Sequence, residues 1–406
     1  MRPLFVDAAF VACAALMAAS GTLAETPSPP SAMPARSALE APVPVPALSQ
    51  ALDAEAAYDR AAALAAAGKF EEAQAAFEAA ARQHELDGAL AAGVTILQDR
   101  RAGRVLDAVV QRIFQAFDRA NAGAWAEAYG HLDQALKLAP GYARVHAARG
   151  SLLLMEDRVV DAIAPFDRAI ALDPKLAEAF FNRGVAYSVL EQYDRAIADL
   201  TRATELQTNF VAAYTNRGTA YLNRGASRGN ANDIKLALAD YSKAHGLAPR
   251  DGEPLFQRGV LYALTEQWAA AEADFTQVIA IDERYPDAYY NRGLAVQEQG
   301  DDVRALADYT KAIEVDASDP KAFINRGLLY AKQKKYQEAI ADYDRAAAVA
   351  PDLLNVYYNK GQTFEAMGRR TDAMAQYAIV LKRGGAGQSE LVKLAKQRLT
   401  ALQQAP

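Results

Sequence analysis

From residue 143 onward, small, aromatic and polar side chains recur at fixed places along the chain. The tripeptide Asn-Arg-Gly, or a close variant, ends at Gly150, Gly184, Gly218, Gly259, Gly293, Gly327 and Gly361, with spacings of 34, 34, 41, 34, 34 and 34 residues. Twelve residues after six of these glycines stands an alanine: Ala162, Ala196, Ala271, Ala305, Ala339 and Ala373. A seven-residue insertion displaces the remaining one to Ala237. Four residues further comes a large apolar side chain: Phe166, Leu200, Tyr241, Phe275, Tyr309, Tyr343 or Tyr377. A fixed period of this length marks a stacked array of small units and not a single compact core.

Each position has a physical reason. Glycine inside a helix costs about 1 kcal/mol relative to alanine, so glycines kept in register need a compensating gain. Without a Cβ, the first helix of a unit can lie close against the second, and Ala196 and Ala203 do the same from the other side. An aromatic three residues after the glycine (Tyr187, Tyr221, Tyr262, Tyr330, Phe364) shares nearly the same helical face and fills wider gaps. Pro140, Pro174, Pro249 and Pro351 stop the second helix, because the ring removes an N–H and clashes with the preceding turn. The unit is helix, short turn, helix, stop. The insertion, Asn223 to Asp233, contains Gly225 and Gly229 and is expected to form a surface loop between two helices.

This spacing, Gly-x-x-Tyr, then Ala-x-x-x-Phe, then Pro, resembles the tetratricopeptide repeat. The resemblance implies an all-α fold, a right-handed superhelical solenoid of antiparallel helix hairpins whose first helices line the concave side. Two weaker units precede the regular ones. Residues 109–142 keep Ala128, Leu132, Ala135 and Pro140 but carry Ala116 in the glycine position. Residues 54–87 keep Ala73, Phe77 and Ala80, with Ala61 in that position. Between them, residues 88–108 read as one extra helix, and residues 388–402, with Leu391, Leu394, Ala395 and Leu399 on one face, read as a capping helix. The expected organisation is a signal peptide (1–24), a Pro-rich linker (25–51), a degenerate unit plus the extra helix (52–108), an array of eight units with the first degenerate (109–387), and a capping helix and tail (388–406).

Two departures from the family pattern bear on function. The residue before the glycine, usually aliphatic in the family, is Arg149, Arg183, Arg217, Arg258, Arg292, Arg326 or Lys360. Sixteen residues later stand Asp199, Asp274, Asp308 and Asp342, with Asp240 after the insertion, Pro165 in the first regular unit and Gln376 in the last. This pairing predicts Arg–carboxylate bridges between helices, within or between units; the functional alternative is a row of arginines facing an acidic ligand. One position earlier come Asn182, Asn216, Gln257, Asn291, Asn325 and Asn359. Asparagine is a mediocre helix former, and its amide offers the acceptor and donors that match an extended peptide backbone. The row is similar to the asparagine ladder in the repeat domain of O-linked N-acetylglucosamine transferase. The lysine and arginine pattern of the chaperone-binding carboxylate clamp is not matched. Phe181, Phe256, Tyr290 and Tyr358 are expected to flank the row as apolar walls, unless they pack between repeats, and the amides could equally bond neighbouring repeats.

Composition narrows the function. Arg2 and the uncharged run Ala8 to Ala19 read as a secretory signal, with Thr22-Leu23-Ala24 as a cleavage site after Ala24, and the run is too short to span a membrane. That predicts a periplasmic or secreted protein with no stable membrane span after cleavage. The lone Cys13 excludes an intramolecular disulfide and a cysteine-based metal site. A formal charge of -6 offers no basic footprint for nucleic acid. His84, His131, His146 and His245 are scattered without acidic ligands at metal spacing, and no phosphate loop, nucleophile elbow or convergent carboxylate pair occurs. The expectation is therefore a non-enzymatic scaffold or adaptor, without cofactor or metal, that holds extended polypeptide segments of other proteins along its first helices. The alternative is a structural subunit of a cell-envelope assembly for secretion or polysaccharide export, docking through its convex face or ends.

Overall fold

A computed structural model describes residues 48–83, 88–384 and 390–404, and among these every regular element is an α-helix. The expected signal peptide, most of the expected linker and His84 lie outside the described residues. The contacts divide the chain between Leu264 and Thr265 into two compact units. The first holds α1 (Leu48–Ala66), α2 (Phe70–Gln83), α3 (Gly88–Arg101), α4 (Asp107–Asn121), α5 (Trp125–Leu138), α6 (Ala143–Met155), α7 (Val159–Leu172), α8 (Ala177–Val189), α9 (Tyr193–Leu206), α10 (Val211–Arg228), α11 (Ala231–Leu247) and α12 (Glu253–Leu264). The second holds α13 (Trp268–Ile281), α14 (Pro286–Glu298), α15 (Asp302–Val315), α16 (Pro320–Lys332), α17 (Tyr336–Val349), α18 (Leu354–Ala366), α19 (Arg370–Arg383) and α20 (Glu390–Gln404). Within each unit consecutive helices pack as hairpins, and successive hairpins stack on one another.

The core is the repeat pattern made solid. Ala162, Ala196 and Ala237 in the first unit, and Ala271, Ala305, Ala339 and Ala373 in the second, are fully buried, as are Phe166, Leu200, Tyr241, Phe275, Tyr309, Tyr343 and Tyr377. Gly327 shows why the register needs glycine: a Cβ there would lie 2.7 Å from Cε1 of the Tyr343 ring. The same ring-on-glycine contact recurs at Gly150, Gly218, Gly293 and Gly361, with Leu200 standing in at Gly184. The glycine makes room for the large side chain sixteen residues on, or twenty-three across the insertion, which is how the first helix closes onto the second.

Pro140, Pro174, Pro249 and Pro351 each follow a helix that has already ended, at Leu138, Leu172, Leu247 and Val349. Helices α9, α13 and α15 end at the same register before Thr208, Glu283 and Ala317. In these, the residue after the helix turns to extended backbone (φ -135 to -141) without help from a ring. In the six regular units without the insertion, the turn after the first helix has one left-handed residue seven positions after the repeat glycine: Asp157, Glu191, Glu266, Gly300, Lys334 and Gly368. Four of these six are not glycine, so the hairpin imposes the conformation at a cost of roughly 1 kcal/mol each.

The expectation of a surface loop at 223–233 is corrected. The extra seven residues lengthen α10 to 18 residues and α11 to 17, against 13 and 14 in neighbouring α8 and α9. Seven residues are nearly two helical turns. One turn added to each helix leaves Ala237 and Tyr241 facing the core. Gly229 (φ 66) closes α10, and the Asn230 side chain caps α11 by accepting from the Asn232 N–H. Arg224 seals the extension by donating to both carboxylate oxygens of buried Asp233 at 2.8 Å and to Asp194 on α9.

At the amino end, α1 and α2 form the degenerate hairpin around Ala61, Ala73 and Phe77. The extra helix is α3, and it packs on α2 with Gly93 directly against the Phe77 ring. At the carboxyl end, α20 covers α19 and α18 with Leu391, Leu394, Ala395 and Leu399, as expected of a cap.

Candidate polypeptide-binding face

The arginine row is the first element of the site to resolve. Arg183 donates through Nε and Nη2 to both oxygens of Asp199, at 2.7 and 2.8 Å, and through Nη1 to Asp167 on the preceding hairpin at 2.6 Å. Arg217 binds Asp240 in the same way at 2.7 Å and reaches back to Thr201 and Thr204. Arg292 with Asp308 and Thr276, and Arg326 with Asp342 and Thr310, repeat the arrangement in the second unit. Lys360 keeps the backward bond, to Asp344 at 2.5 Å. The expected bridges are thus both intra-hairpin and inter-hairpin.

These guanidinium groups also lie over first-helix rings, Arg183 over Phe180 and Tyr187 at 5.7 and 5.9 Å, and Arg326 over Phe323 and Tyr330 at 5.9 and 5.8 Å. Their bonds to aspartate hold them charged beyond the ordinary arginine range. A bidentate carboxylate on one edge, a second partner on Nη1 and rings nearby leave Arg183, Arg217, Arg292 and Arg326 committed to the fold.

The amide row divides in two. In the first unit Asn182, Asn216 and Gln257 are part-exposed. Asn182 makes no side-chain hydrogen bond among the described residues, whereas Asn216 gives its Nδ2–H to Ala212 O at 2.9 Å, keeping Oδ1 as an outward acceptor. Gln257 donates to Glu253 Oε1 at 2.7 Å. In the second unit Asn291, Asn325 and Asn359 are buried. Asn291 donates to Asp287 O at 2.8 Å and Asn325 to the Tyr290 hydroxyl at 3.2 Å.

The flanking aromatics are packed. Phe256 is fully buried, Tyr290 lies 6.0 Å from the Tyr309 ring, and Tyr358 lies 5.6 Å from the Tyr377 ring. Phe181 packs on Phe210 at 4.8 Å and remains part-exposed. The part-exposed stretch of the amide row therefore runs along α8, α10 and α12 of the first unit. Its acidic flank, Glu178 and Glu253, was not singled out from sequence; Arg144 neutralises Glu178 at 2.6 Å.

Buried Asp287, at the start of α14, was also missed. Burial pushes its carboxyl up to about 7, while Lys321 pulls it down and Asp319 and Asp316 push it up. His146 sits on the Pro140 carbonyl at 3.2 Å and His131 on Arg112 at 2.9 Å, neither beside a carboxylate ligand set. Among the described residues no three His, Cys, Asp or Glu side chains converge as a metal site, and no helix is long and apolar enough to cross a membrane.

Stacked helix hairpins with one committed polar row and one amide row part-exposed in the first unit define a helical-repeat scaffold. Models of the tetratricopeptide repeat match residues 115–177, 256–320, 166–198 and 320–353, so the chain is a tetratricopeptide-repeat protein. No curated protein matches the chain by sequence. Among solved structures, the Cut9-Hcn1 hetero-tetramer of APC/C is similar over 72% of this chain and 59% of its own, at 16% identity and TM-score 0.50. A tetratricopeptide repeat protein from Parabacteroides merdae is similar over 63% of this chain and 99% of its own, at 17% identity and TM-score 0.47. YrrB, described as a TPR protein with an unusual peptide-binding site, covers 49% of this chain and 97% of its own, at 22% identity and TM-score 0.39. These likenesses concern the fold.

Proposed function

We propose that this protein is a non-catalytic adaptor that holds extended polypeptide segments against the first helices of its amino-terminal unit. The observation that carries the reading is the contrast between two adjacent rows. Arg183 and Arg217, which could have faced a ligand, are locked into bridges, while the row of amides one position earlier stays part-exposed at Asn182, Asn216 and Gln257. Free amide acceptors beside the apolar edge of Phe181 suit main-chain N–H groups of an extended segment, which gives affinity with limited sequence preference. The buried amides Asn291, Asn325 and Asn359 belong, on this reading, to the packing of the second unit. The apolar run Ala8 to Ala19 supports a place of work outside the cytoplasm.

The test is a peptide-array screen with wild type and the Asn182→Ala/Asn216→Ala/Gln257→Ala protein, with Asn291→Ala/Asn325→Ala as comparison. The first triple change should weaken binding about ten-fold or more, as expected when hydrogen bonds worth about 0.5–1.5 kcal/mol each are lost. Equal binding by the triple mutant and wild type would remove the amide face as the site and leave docking through other surfaces.

A further inference from the structure

Two regular hairpins depart from the arginine–aspartate rule: α18–α19 carries Lys360 and Gln376, and α6–α7 keeps its arginine without the aspartate. In α6 and α7 the place of the bridging aspartate is taken by Pro165, which stands inside the helix. Arg149 keeps the backward bond of its counterparts, donating Nη1 to Asp133 at 2.5 Å as Arg183 does to Asp167 at 2.6 Å. Its Nε and Nη2 edge, which in Arg183 grips Asp199, has no hydrogen-bond partner among the described residues. The Arg149 side chain is accordingly 35% exposed, against 18% for Arg183 and 16% for Arg217 and Arg326. Pro165 also removes a helical N–H in mid-helix, so the hairpin gives up a ladder hydrogen bond as well as an ion pair.

What occupies that place instead is a cleft of 270 Å³ lined by Tyr129, Arg149, Leu153, Arg158, Asp161 and Pro165. The acidic groups nearby are already committed. Asp161 holds Arg158 at 2.8 Å, and Glu156 accepts from the Tyr129 hydroxyl at 2.6 Å and from Arg158. Arg149 is left as the cation with an unused bidentate edge.

We propose that this cleft binds a carboxylate carried on a small apolar body. The carboxylate takes the Nε–Nη2 edge of Arg149 as Asp199 takes that of Arg183, and the body lies against Leu153, Pro165 and the Tyr129 ring. The planar fork of a guanidinium selects carboxylate geometry over a spherical anion. The cleft falls just below the roughly 300–1,000 Å³ of sites for drug-sized ligands, which sets a small acid or a single acidic side chain as the occupant. The site is independent of the amide face.

The experiment follows the Arg Nε–H NMR signals of the full chain during titration with acetate, butyrate and benzoate. A parallel titration uses a capped peptide bearing one glutamate, with sodium chloride at matched ionic strength as control. A saturable shift of the Arg149 signal is expected, stronger for butyrate and benzoate than for acetate. Saturation with the free acids assigns a small-molecule ligand, and saturation with the peptide alone assigns a partner's side chain. Pro165→Asp restores the missing bridge and should move the Arg149 signal to the bridged position without ligand and weaken the response at least about ten-fold. Arg149→Gln should abolish acid binding with the circular dichroism spectrum intact. The proposal is overturned if Pro165→Asp binds the acids as wild type does, if chloride reproduces the shift, or if no carboxylate saturates the signal.

Discussion

Replacing Asp342 by alanine tests whether the arginine bridges hold the array together. Arg326 donates to both Asp342 oxygens at 2.8 and 2.7 Å and to Thr310 at 3.1 Å, with its side chain 16% exposed and that of Asp342 7% exposed. Breaking a fully buried pair by removing one partner costs about 3–5 kcal/mol, because the other charge is stranded. Water still reaches Arg326, so Asp342→Ala should cost about 2–3 kcal/mol, and Arg326→Met, which strands the more deeply buried carboxylate, at least as much. The double change Arg326→Met/Asp342→Leu strands nothing and should fall within about 1 kcal/mol of wild type. With Asp342→Leu as the matching single change, expected to cost about as much as Asp342→Ala, the cycle gives a coupling energy of at least about 3 kcal/mol. Repeat arrays open locally, so the measurement is amide hydrogen exchange across α16 and α17 and not a global melting curve. If Asp342→Ala leaves the slowest amides of these helices within about 0.5 kcal/mol of wild type, the pair behaves like a surface ion pair and the reasoning fails.

Gly293→Ala places a Cβ 2.8 Å from the Tyr309 ring, whose hydroxyl is pinned to Gln297 at 2.7 Å. An overpacking penalty of about 3 kcal/mol, offset by about 1 kcal/mol of helix propensity, should leave about 2 kcal/mol of destabilisation in urea titrations. Gly130→Ala on α5 meets nothing within 4 Å and should stabilise by about 0.5–1 kcal/mol in the same assay. Lys334→Gly relieves a left-handed turn (φ 61) and should stabilise its hairpin by up to about 1 kcal/mol, read by hydrogen exchange in α16 and α17. Burial raises the Asp287 carboxyl to about 7 in the folded chain, against about 3.9 unfolded. The folded state then binds the proton more tightly, so this group's contribution to stability is present at acid pH and lost as pH rises from about 4 to 7. Asp287→Asn should flatten that slope in urea midpoints, and an unchanged slope would show the carboxyl titrating normally.

The repeat register was legible because steric necessity fixed it. Gly327 must lack a Cβ to admit the Tyr343 ring, and Ala339 must be small to let the helices approach, so residue identity and structure coincide. The turn conformation was not legible, because Asp157, Glu191, Glu266 and Lys334 share the backbone of Gly300 and Gly368 without sharing their chemistry. Nor was the fate of the insertion, where the glycines read as loop residues; seven residues divide into one added turn on each of two helices, a fact of helical pitch and not of composition.

The amide row shows a subtler limit. Asn325 is buried with its Nδ2 on the hydroxyl of Tyr290 in the hairpin before it, whereas the residue at that place before Asn216 is Phe181, which has no hydroxyl. Asn216 therefore bonds its own helix at Ala212 O, as Asn291 does at Asp287 O with Phe256 in that place. Identical residues in identical register thus differ in hydrogen-bond partner through one oxygen atom thirty-five residues away. Pro165 is the converse case. Its departure from the row of aspartates is visible in the sequence, yet only the 270 Å³ cleft and the 35% exposure of Arg149 turn that departure into an unused guanidinium edge. In a repeat protein the informative residue is the one that breaks a rule its neighbours obey, and its meaning lies in the partner it leaves behind.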